Sequence, residues 1–417
     1  MKTQAADVLV LGGGVIGLAC ALRMLDAGRS VTVIEQSLAG SGSSHGNCGT
    51  LTPSHATPLG MPGVIGNALR QLMRADAPFR IVARFDPALL RWLLRFARHC
   101  TWREFARITA IKAPFLTQSR TMTAELVARE RLDCDYVHDG SLYVYRDEAA
   151  FAASQWLPRA LGEVGIRIDT LDGARIQAME PALRPGVAGG YFNPGDARLR
   201  PDRFVAELAR LVRARGGTIE EGARIELIER ENGRIARVRT TRGDFGGRDI
   251  VFALGAWSPA LARQLGLRVP IQPGKGYSIT YSRPVLCPRI PLVLKEASVC
   301  VTSWESGYRL GSTMEFAGYD STLNRTRLDA LRRGAARYLH EPEGGQMFEE
   351  WWGWRPMTPD DLPVIGAVPG VANLWMATGH GMLGVSMAVM TAQLICELVC
   401  EFPSSLDLSP YSVTRFK

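Results

Sequence analysis

The sequence predicts an α/β protein of two domains: a Rossmann-type nucleotide-binding domain, and an inserted α+β domain built on an antiparallel sheet. Three observations carry this. The stretch "DVLVLGGGVIGLACALRMLDAGRSVTVIEQ" reads strand, glycine turn, helix, strand. The stretches "LRPDRFVAELARLVRARGGTIEEG" and "RDIVFALGAWS" resume that alternation near mid-chain. Ile271 to Phe316 is rich in strand-forming residues, as an antiparallel sheet requires. A chain of 417 residues also exceeds what one core normally serves.

Asp7 to Leu11 is a short apolar run, as in a strand buried on both faces. Gly12, Gly14 and Gly17 follow in the spacing G-x-G-x-x-G. The first glycine permits the tight turn, the second lets a pyrophosphate approach the backbone, and the third lets the helix pack closely. That helix is expected from Val15 to Ala27, with Gly28 as its stop. Its free N–H groups and positive dipole end suit a diphosphate. A second strand, Ser30 to Ile34, ends at Glu35, 23 residues after Gly12 and placed to accept a ribose hydroxyl. Its charge disfavours a 2′-phosphate, so NADP fits least. A glycine turn alone would also suit an α/β fold without a ligand. The flanking strand, helix and acid favour a nucleotide, and leave NAD or a flavin open.

The rest follows in order. Residues 60–130 read as helical. "CDYVHDGSLYVYR" reads as a hairpin about Asp139-Gly140. A helix is expected near Glu148 to Val164 and a strand near Ile166 to Thr170. Pro201 opens a helix that ends before Gly216-Gly217, followed by a strand at Thr218 to Glu220. Asn232-Gly233 turns a second hairpin. A buried strand at "RDIVFA" leads through Gly255 to a helix from Ser258. Residues 325–340 read as helical, and a strand at Leu374 to Ala377 and a helix from Met382 to Cys400 close the chain. The segments 1–52, 150–225 and 340–417 are assigned to the nucleotide domain, and 53–149 and 226–339 to the substrate domain. A simple NAD dehydrogenase more often keeps its nucleotide domain contiguous, so the interruption points to a flavin.

Composition is that of an ordinary globular protein, 46% hydrophobic and 22% charged. No uncharged apolar run is long enough for a transmembrane helix. The N-terminus enters a strand almost at once and lacks the apolar core of a signal peptide. A cytoplasmic protein, or one peripheral on the inner membrane, is expected. The eight cysteines and six histidines show no metal spacing, so no metal site is expected and the thiols read as reduced. Between Arg70 and Lys112 ten basic residues face three acids. In "ALLRWLLRFARHC", Arg91, Arg95 and Arg98 share one helical face, with Leu89, Trp92, Leu93 and Phe96 on the remainder. This is a solvated basic stripe, or a face for peripheral membrane or partner contact through residues 70–112. Nucleic acid fits poorly, since no binding motif accompanies the charge.

Three further stretches carry a resemblance: "SLAGSGSSHGNCGTLTPSHATPLGMPG" after Glu35, "GWRPMTPDDLPVIG" at Gly353 to Gly366, and "LWMATGHGMLGVSMA" at Leu374 to Ala388. With "PGKGYSITY" (Pro273 to Tyr281), their order and spacing resemble the FAD-dependent D-amino-acid oxidoreductase superfamily, closest to the bacterial D-amino-acid dehydrogenases. The first stretch draws towards the D-hydroxyproline dehydrogenases. The resemblance implies FAD, non-covalent because "EEWWGWRPMTP" lacks the cysteine that attaches flavin in some members. It implies that Gly12, Gly14 and Gly17, with Val15 and Ile16, hold the diphosphate, and that Glu35, with Gln36, meets the ribose. Ser43 and Ser44 match diphosphate contacts. Asn47, Cys48 and Gly49 match the loop beside the flavin ring, Cys48 standing where relatives often carry a small residue. Arg224 lies in the segment expected at the adenine edge, and Ala253 and Gly255 near the pyrophosphate and ribose. Gly379, His380, Gly381, Leu383 and Gly384 would approach the ring, where a helix N-terminus favours the reduced flavin's negative charge. His380 reads equally as a satisfied loop histidine.

Arg355 of the G-x-R-P motif would pair with the substrate carboxylate, to which a guanidinium fork is matched. The competing reading is a structural ion pair with Asp360 or Asp361. Tyr277 is a candidate second substrate contact or a core aromatic; His55 and Tyr319 are candidates to line the pocket. The implied reaction is oxidation of a D-amino acid, or of a cyclic imino acid such as D-proline or cis-4-hydroxy-D-proline. Hydride would pass from the α carbon to flavin N5, with no catalytic acid or base required. Electrons would leave to a quinone at a membrane surface or to a partner subunit. A glycine- or sarcosine-type oxidase using oxygen, and an FAD-bearing non-catalytic subunit, remain as alternatives.

Overall fold

The computed structural model describes residues 4–66 and 79–416. It is built on two large sheets. In the first, strand Gln4–Leu11 lies between Val31–Ile34 and Gly243–Phe252, parallel to both. Thr218–Glu220 extends one side in parallel, and Leu374–Thr378 runs parallel to the far end of Gly243–Phe252. The hairpin Ile225–Glu231 and Arg234–Thr240 adds the antiparallel edge, turned at Asn232 and Gly233, both at positive φ.

Alternate residues of the first strand serve opposite faces. Val8 and Val10 join one hydrophobic cluster with helices Val15–Asp26, Pro201–Ala214 and Gly384–Val399. Leu9 and Leu11 join another with Phe252, Ala262 and Ile271. This two-sided burial explains why the strand reads as a continuous apolar run. Helix Trp102–Glu130 packs against Gly384–Val399 and so covers the same layer.

Among the described residues the second sheet has nine strands. Gln272–Tyr281 pairs antiparallel with Met347–Met357 and with Gly307–Phe316. The order continues through Val299–Trp304, Leu292–Leu294, Ser141–Tyr145, Gly189–Asn193 and Asp169–Asp172.

Several expectations are corrected. Asp139-Gly140 does not turn a hairpin: Ser141–Tyr145 pairs with Gly189–Asn193 and Leu292–Leu294, both distant in sequence. Residues 60–130 are not all helical, because Phe79–Ile81 adds a strand beside Gly307–Phe316. The helix expected over Glu148 to Val164 is two, Glu148–Ala153 and Trp156–Gly162. Pro158 cannot continue a helix through Ser154, because its ring would meet that carbonyl. Sheet membership also cuts across the drawn segments. Ile225–Glu231, Arg234–Thr240 and Gly243–Phe252 belong to the first sheet, whereas Asp169–Asp172, Gly189–Asn193 and Met347–Met357 belong to the second. The part of the basic stretch at 70–78 lies outside the described residues. No described helix is long and apolar enough to cross a membrane.

Candidate active site

A cleft of about 1470 Å³, its open mouth included, is lined from both sheets. At one end stands the glycine turn. Gly12 sits at φ +105°, and a side chain there would lie 2.5 Å from the Ala253 carbonyl. A Cβ on Gly17 would lie 1.8 Å from the Gly12 carbonyl, so the turn and helix close only with glycine at both positions. Gly14, Val15 and Ile16 face the cleft. Helix Val15–Asp26 has no acid in its first turn, and its Val15 N–H donates to Ser44 Oγ at 3.1 Å. Glu35 closes the turn, accepting from the Gly13 N–H (2.8 Å) and the Ser37 N–H (2.9 Å).

A second helix, Gly384–Val399, also begins at this cleft, at Leu383 and Gly384, again with no acid in its first turn. Two uncompensated positive helix ends therefore open on one cavity. A dinucleotide with an anionic diphosphate at one end and a ring that gains negative charge on reduction fits that arrangement. Ser43, Ser44, Ala253 and Gly255 line the wall between them.

At the other end the structure brings together Asn47, Cys48, His55, Arg355, His380 and Gly381. Asn47 Oδ1 accepts from the Gly49 N–H (2.7 Å), which holds the loop in shape. The Arg355 guanidinium donates to the carbonyls of Thr313 (2.7 Å) and Ser312 (3.3 Å). It lies over Gly276, where a Cβ would come within 2.2 Å of its Cζ. Burial holds its pKa below the usual guanidinium value. Among the described residues no carboxylate lies within ion-pair distance of it. Asp360 is taken by Arg415 (2.6 Å) and Asp361 by Lys112 (2.7 Å), so the competing ion-pair reading does not hold.

His55 hydrogen-bonds the Tyr143 hydroxyl (3.2 Å), and burial lowers its pKa to about 3. Behind it, the Tyr143 hydroxyl meets Ser54 Oγ (3.1 Å), which donates to Asp196 (2.6 Å). His380 is likewise pushed to about 3 by burial and pairs with Thr391 Oγ1 at 3.0 Å, a satisfied histidine that still lines the cleft.

Other candidates lie elsewhere. Tyr277 is buried in the second sheet's core, its hydroxyl donating to Glu315 (2.7 Å), so it is no part of the cleft lining. Tyr319 donates to the Ala256 carbonyl (2.6 Å) and stands half-exposed against Trp354. Gln36 and Arg224 are exposed and Arg224 pairs with Glu226, and neither lines the cleft. Gly49 and Gly379 are structural. Side chains there would strike the Leu199 carbonyl at 2.0 Å and Thr358 Cγ2 at 2.7 Å.

The cleft also contains residues not singled out from the sequence, among them Lys295, Ser298, Cys300 and Trp351. Lys295 lies 5.0 Å above the Tyr143 ring. One signal was available: the chain uses five lysines against 44 arginines, and Lys112 and Lys275 are both interior. Cys300 gave none, because a half-buried strand cysteine is ordinary.

Residues 7–398 match the family described as FAD dependent oxidoreductase. The D-amino acid dehydrogenase of Paramagnetospirillum magneticum is 35% identical over 419 residues, covering 98% of each chain. That of Rhizorhabdus wittichii is 34% identical over 418 residues, covering 98% of this chain and all of the other. Among solved structures, glycine oxidase from Geobacillus kaustophilus superposes with a TM-score of 0.81 at 23% identity, covering 99% of each chain. L-proline dehydrogenase from P. horikoshii gives 0.74 at 18%, covering 100% of this chain and 98% of the other. These two likenesses concern the fold. With a fingerprint turn, two helix ends and a half-buried arginine on one cleft, and near-full-length identity above 30%, the chain belongs to the family of FAD-dependent oxidoreductases, with FAD as its non-covalently held cofactor.

Proposed function

We propose that the protein is a D-amino-acid dehydrogenase whose substrate is a D-amino acid or a cyclic imino acid of the D-proline or cis-4-hydroxy-D-proline type. The observation that carries this is Arg355, a half-buried cation at the cleft with no carboxylate within ion-pair distance among the described residues. A guanidinium has five N–H donors, and Arg355 gives two to backbone carbonyls and a third, weakly, to Met314 Sδ (3.9 Å). The remainder hold a carboxylate, fixing the α carbon in one orientation. Gly12, Gly14, Gly17, Ser44 and the N-terminus of Gly384–Val399 hold the cofactor. FAD, when bound, supplies the two-electron oxidation of the α C–N bond.

His55, neutral at physiological pH, adds no competing positive charge beside Arg355. With Lys295 and Ser298 it offers polar groups to a ring hydroxyl, which, with the segment from Ser43 to Gly63, supports the cyclic substrate. Electrons then leave to an acceptor other than oxygen, a quinone at a membrane surface or a partner subunit. Anaerobic mixing of the yellow holoenzyme with a panel of D- and L-amino acids, glycine, sarcosine and cis-4-hydroxy-D-proline tests this. Bleaching by D-substrates and turnover with dyes but not oxygen are expected. Bleaching by glycine or sarcosine with rapid peroxide formation would make it an oxidase, and no bleaching by any amine would leave a non-catalytic subunit.

A further inference from the structure

Two of the eight cysteines meet in the cleft. Cys48 follows the loop after the glycine turn, and Cys300 lies on Val299–Trp304 of the second sheet. Both line the cavity, and both are half-buried. The sheet register explains their meeting. Cys300 pairs with Gly311 on the neighbouring strand. Side chains of such a pair point to one face about 4.5–5.5 Å apart. Gly311 has none, and a Cβ built there would lie 2.5 Å from Cys48 Sγ. Cys48 therefore fills the space that a Gly311 side chain would occupy, with its sulfur facing Cys300. The two thiols are in contact.

We propose that Cys48 and Cys300 form an oxidisable dithiol whose closure to a disulfide shuts the cleft beside Arg355. The step balances with hydrogen peroxide as the oxidant. The Cys48 thiolate attacks the peroxide O–O bond, giving a sulfenic acid and hydroxide, which takes up the proton the thiol had released and becomes the first water. Cys300 sulfur then attacks the sulfenic sulfur, forming the S–S bond and releasing the second water. Two thiols are oxidised by two electrons and one peroxide is reduced to two waters.

The surroundings divide the roles. Contact with Cys300 and the charges of Arg355 and Arg309 hold the Cys48 thiol below the usual range, whereas contact with Cys48 and burial raise that of Cys300. A low-pKa attacking thiol beside a resolving partner is the arrangement peroxide oxidation requires. Cys134, pushed up to about 12 by burial, and the fully buried Cys20 lack it. Bridge formation does not depend on the substrate assignment; the loss of turnover rests on the proposed function.

The test treats the holoenzyme with a small molar excess of hydrogen peroxide, alkylates the remaining thiols under denaturing, non-reducing conditions, and maps the peptides by mass spectrometry. The expected result is a Cys48–Cys300 linked peptide, an intact mass lower by two hydrogens before alkylation, and reversal by a thiol reductant. Phenylarsine oxide, which bridges paired thiols, should bind once per chain and protect the same two cysteines. Dye-linked turnover should fall in step with the linked fraction and return on reduction. A bridge at Cys396 and Cys400 instead, or Cys48 advancing to sulfinic acid without a link to Cys300, would overturn the dithiol. A fully bridged enzyme that reduces its flavin at the original rate would overturn closure, while failure of every amine to bleach either form would strike the proposed function instead.

Discussion

Lys112 Nζ lies 2.7 Å from Asp361 Oδ2, and this contact ties the middle of helix Trp102–Glu130 to the loop that follows Arg355. The Lys112 side chain is 1% exposed. Asp361 also accepts from the Leu59 N–H (3.3 Å), so one carboxylate joins three segments around the cleft. Its φ of +57° is a conformation that asparagine tolerates. Asp361→Asn should therefore keep the backbone and strand a buried ammonium. Removing one partner of such a pair costs about 3–5 kcal/mol. Urea unfolding of the flavin-loaded protein should show that loss; an unchanged midpoint would mean that Lys112 finds other partners.

Asp196 makes stability fall as pH rises. Burial raises its pKa to about 6, against three hydrogen bonds from Ser54 and Ser141 that act in the opposite sense. Between an unfolded value near 4 and that figure the folded state binds the extra proton, so stability declines through the window and is level above it. The whole effect is about 3 kcal/mol. Asp196→Asn should remove this slope and be at least as stable as the parent at pH 7.5. Unfolding at pH 4.5 and 7.5 in both proteins isolates the difference, and equal slopes would contradict the assignment.

Gly276→Ala separates positioning from folding. The new methyl would overlap the tip of Arg355, a flexible end that can move, rather than backbone. FAD content and thermal stability should stay near the parent values while KM for amino acids rises at least tenfold. A rise in KM accompanied by loss of flavin would mean that the strand itself had shifted.

Helix Pro87–His99, with the residue pair before it, carries an exposed apolar and basic face, and peripheral membrane contact through it is a testable proposal. Trp92 anchors it through a hydrogen bond to the Met357 carbonyl (2.9 Å). Phe85 is 97% exposed, and Leu90 and Leu94 are also exposed, beside exposed Arg91 and Arg98. Vesicles containing anionic lipid should bind the protein more weakly as salt increases. Leu90→Glu with Leu94→Glu should reduce binding several-fold without changing dye-linked turnover. Equal sedimentation with neutral and anionic vesicles would count against this surface.

The N-terminal unit was legible because its signals are local: a buried strand, three glycines at fixed spacing and one acid all lie between Asp7 and Glu35. The same holds for the Asn232-Gly233 hairpin. Asp139-Gly140 misled because Gly140 also sits at φ +83°, yet its flanking strand finds partners at Gly189–Asn193 and Leu292–Leu294, which no local pattern reveals. Tyr277 and Arg355 lie on adjacent antiparallel strands, with Gly274 opposite Arg355. Which of the two meets the cleft depends on which face of the pleat each occupies, and both faces of Gln272–Tyr281 are buried, so alternation of polarity could not decide. Lys295 and Cys300 enter the site through the pairing of Leu292–Leu294 with Val299–Trp304, again a tertiary fact.

The most direct test of the central claim is anaerobic flavin reduction by D-amino acids in Arg355→Ala beside the parent enzyme, with bound FAD quantified in both. Loss of a desolvated charge partner costs about 2–5 kcal/mol, so kcat/KM should fall roughly thirtyfold to several thousandfold while FAD stays bound. Unaltered reduction kinetics in the flavin-loaded variant would remove Arg355 from the substrate site.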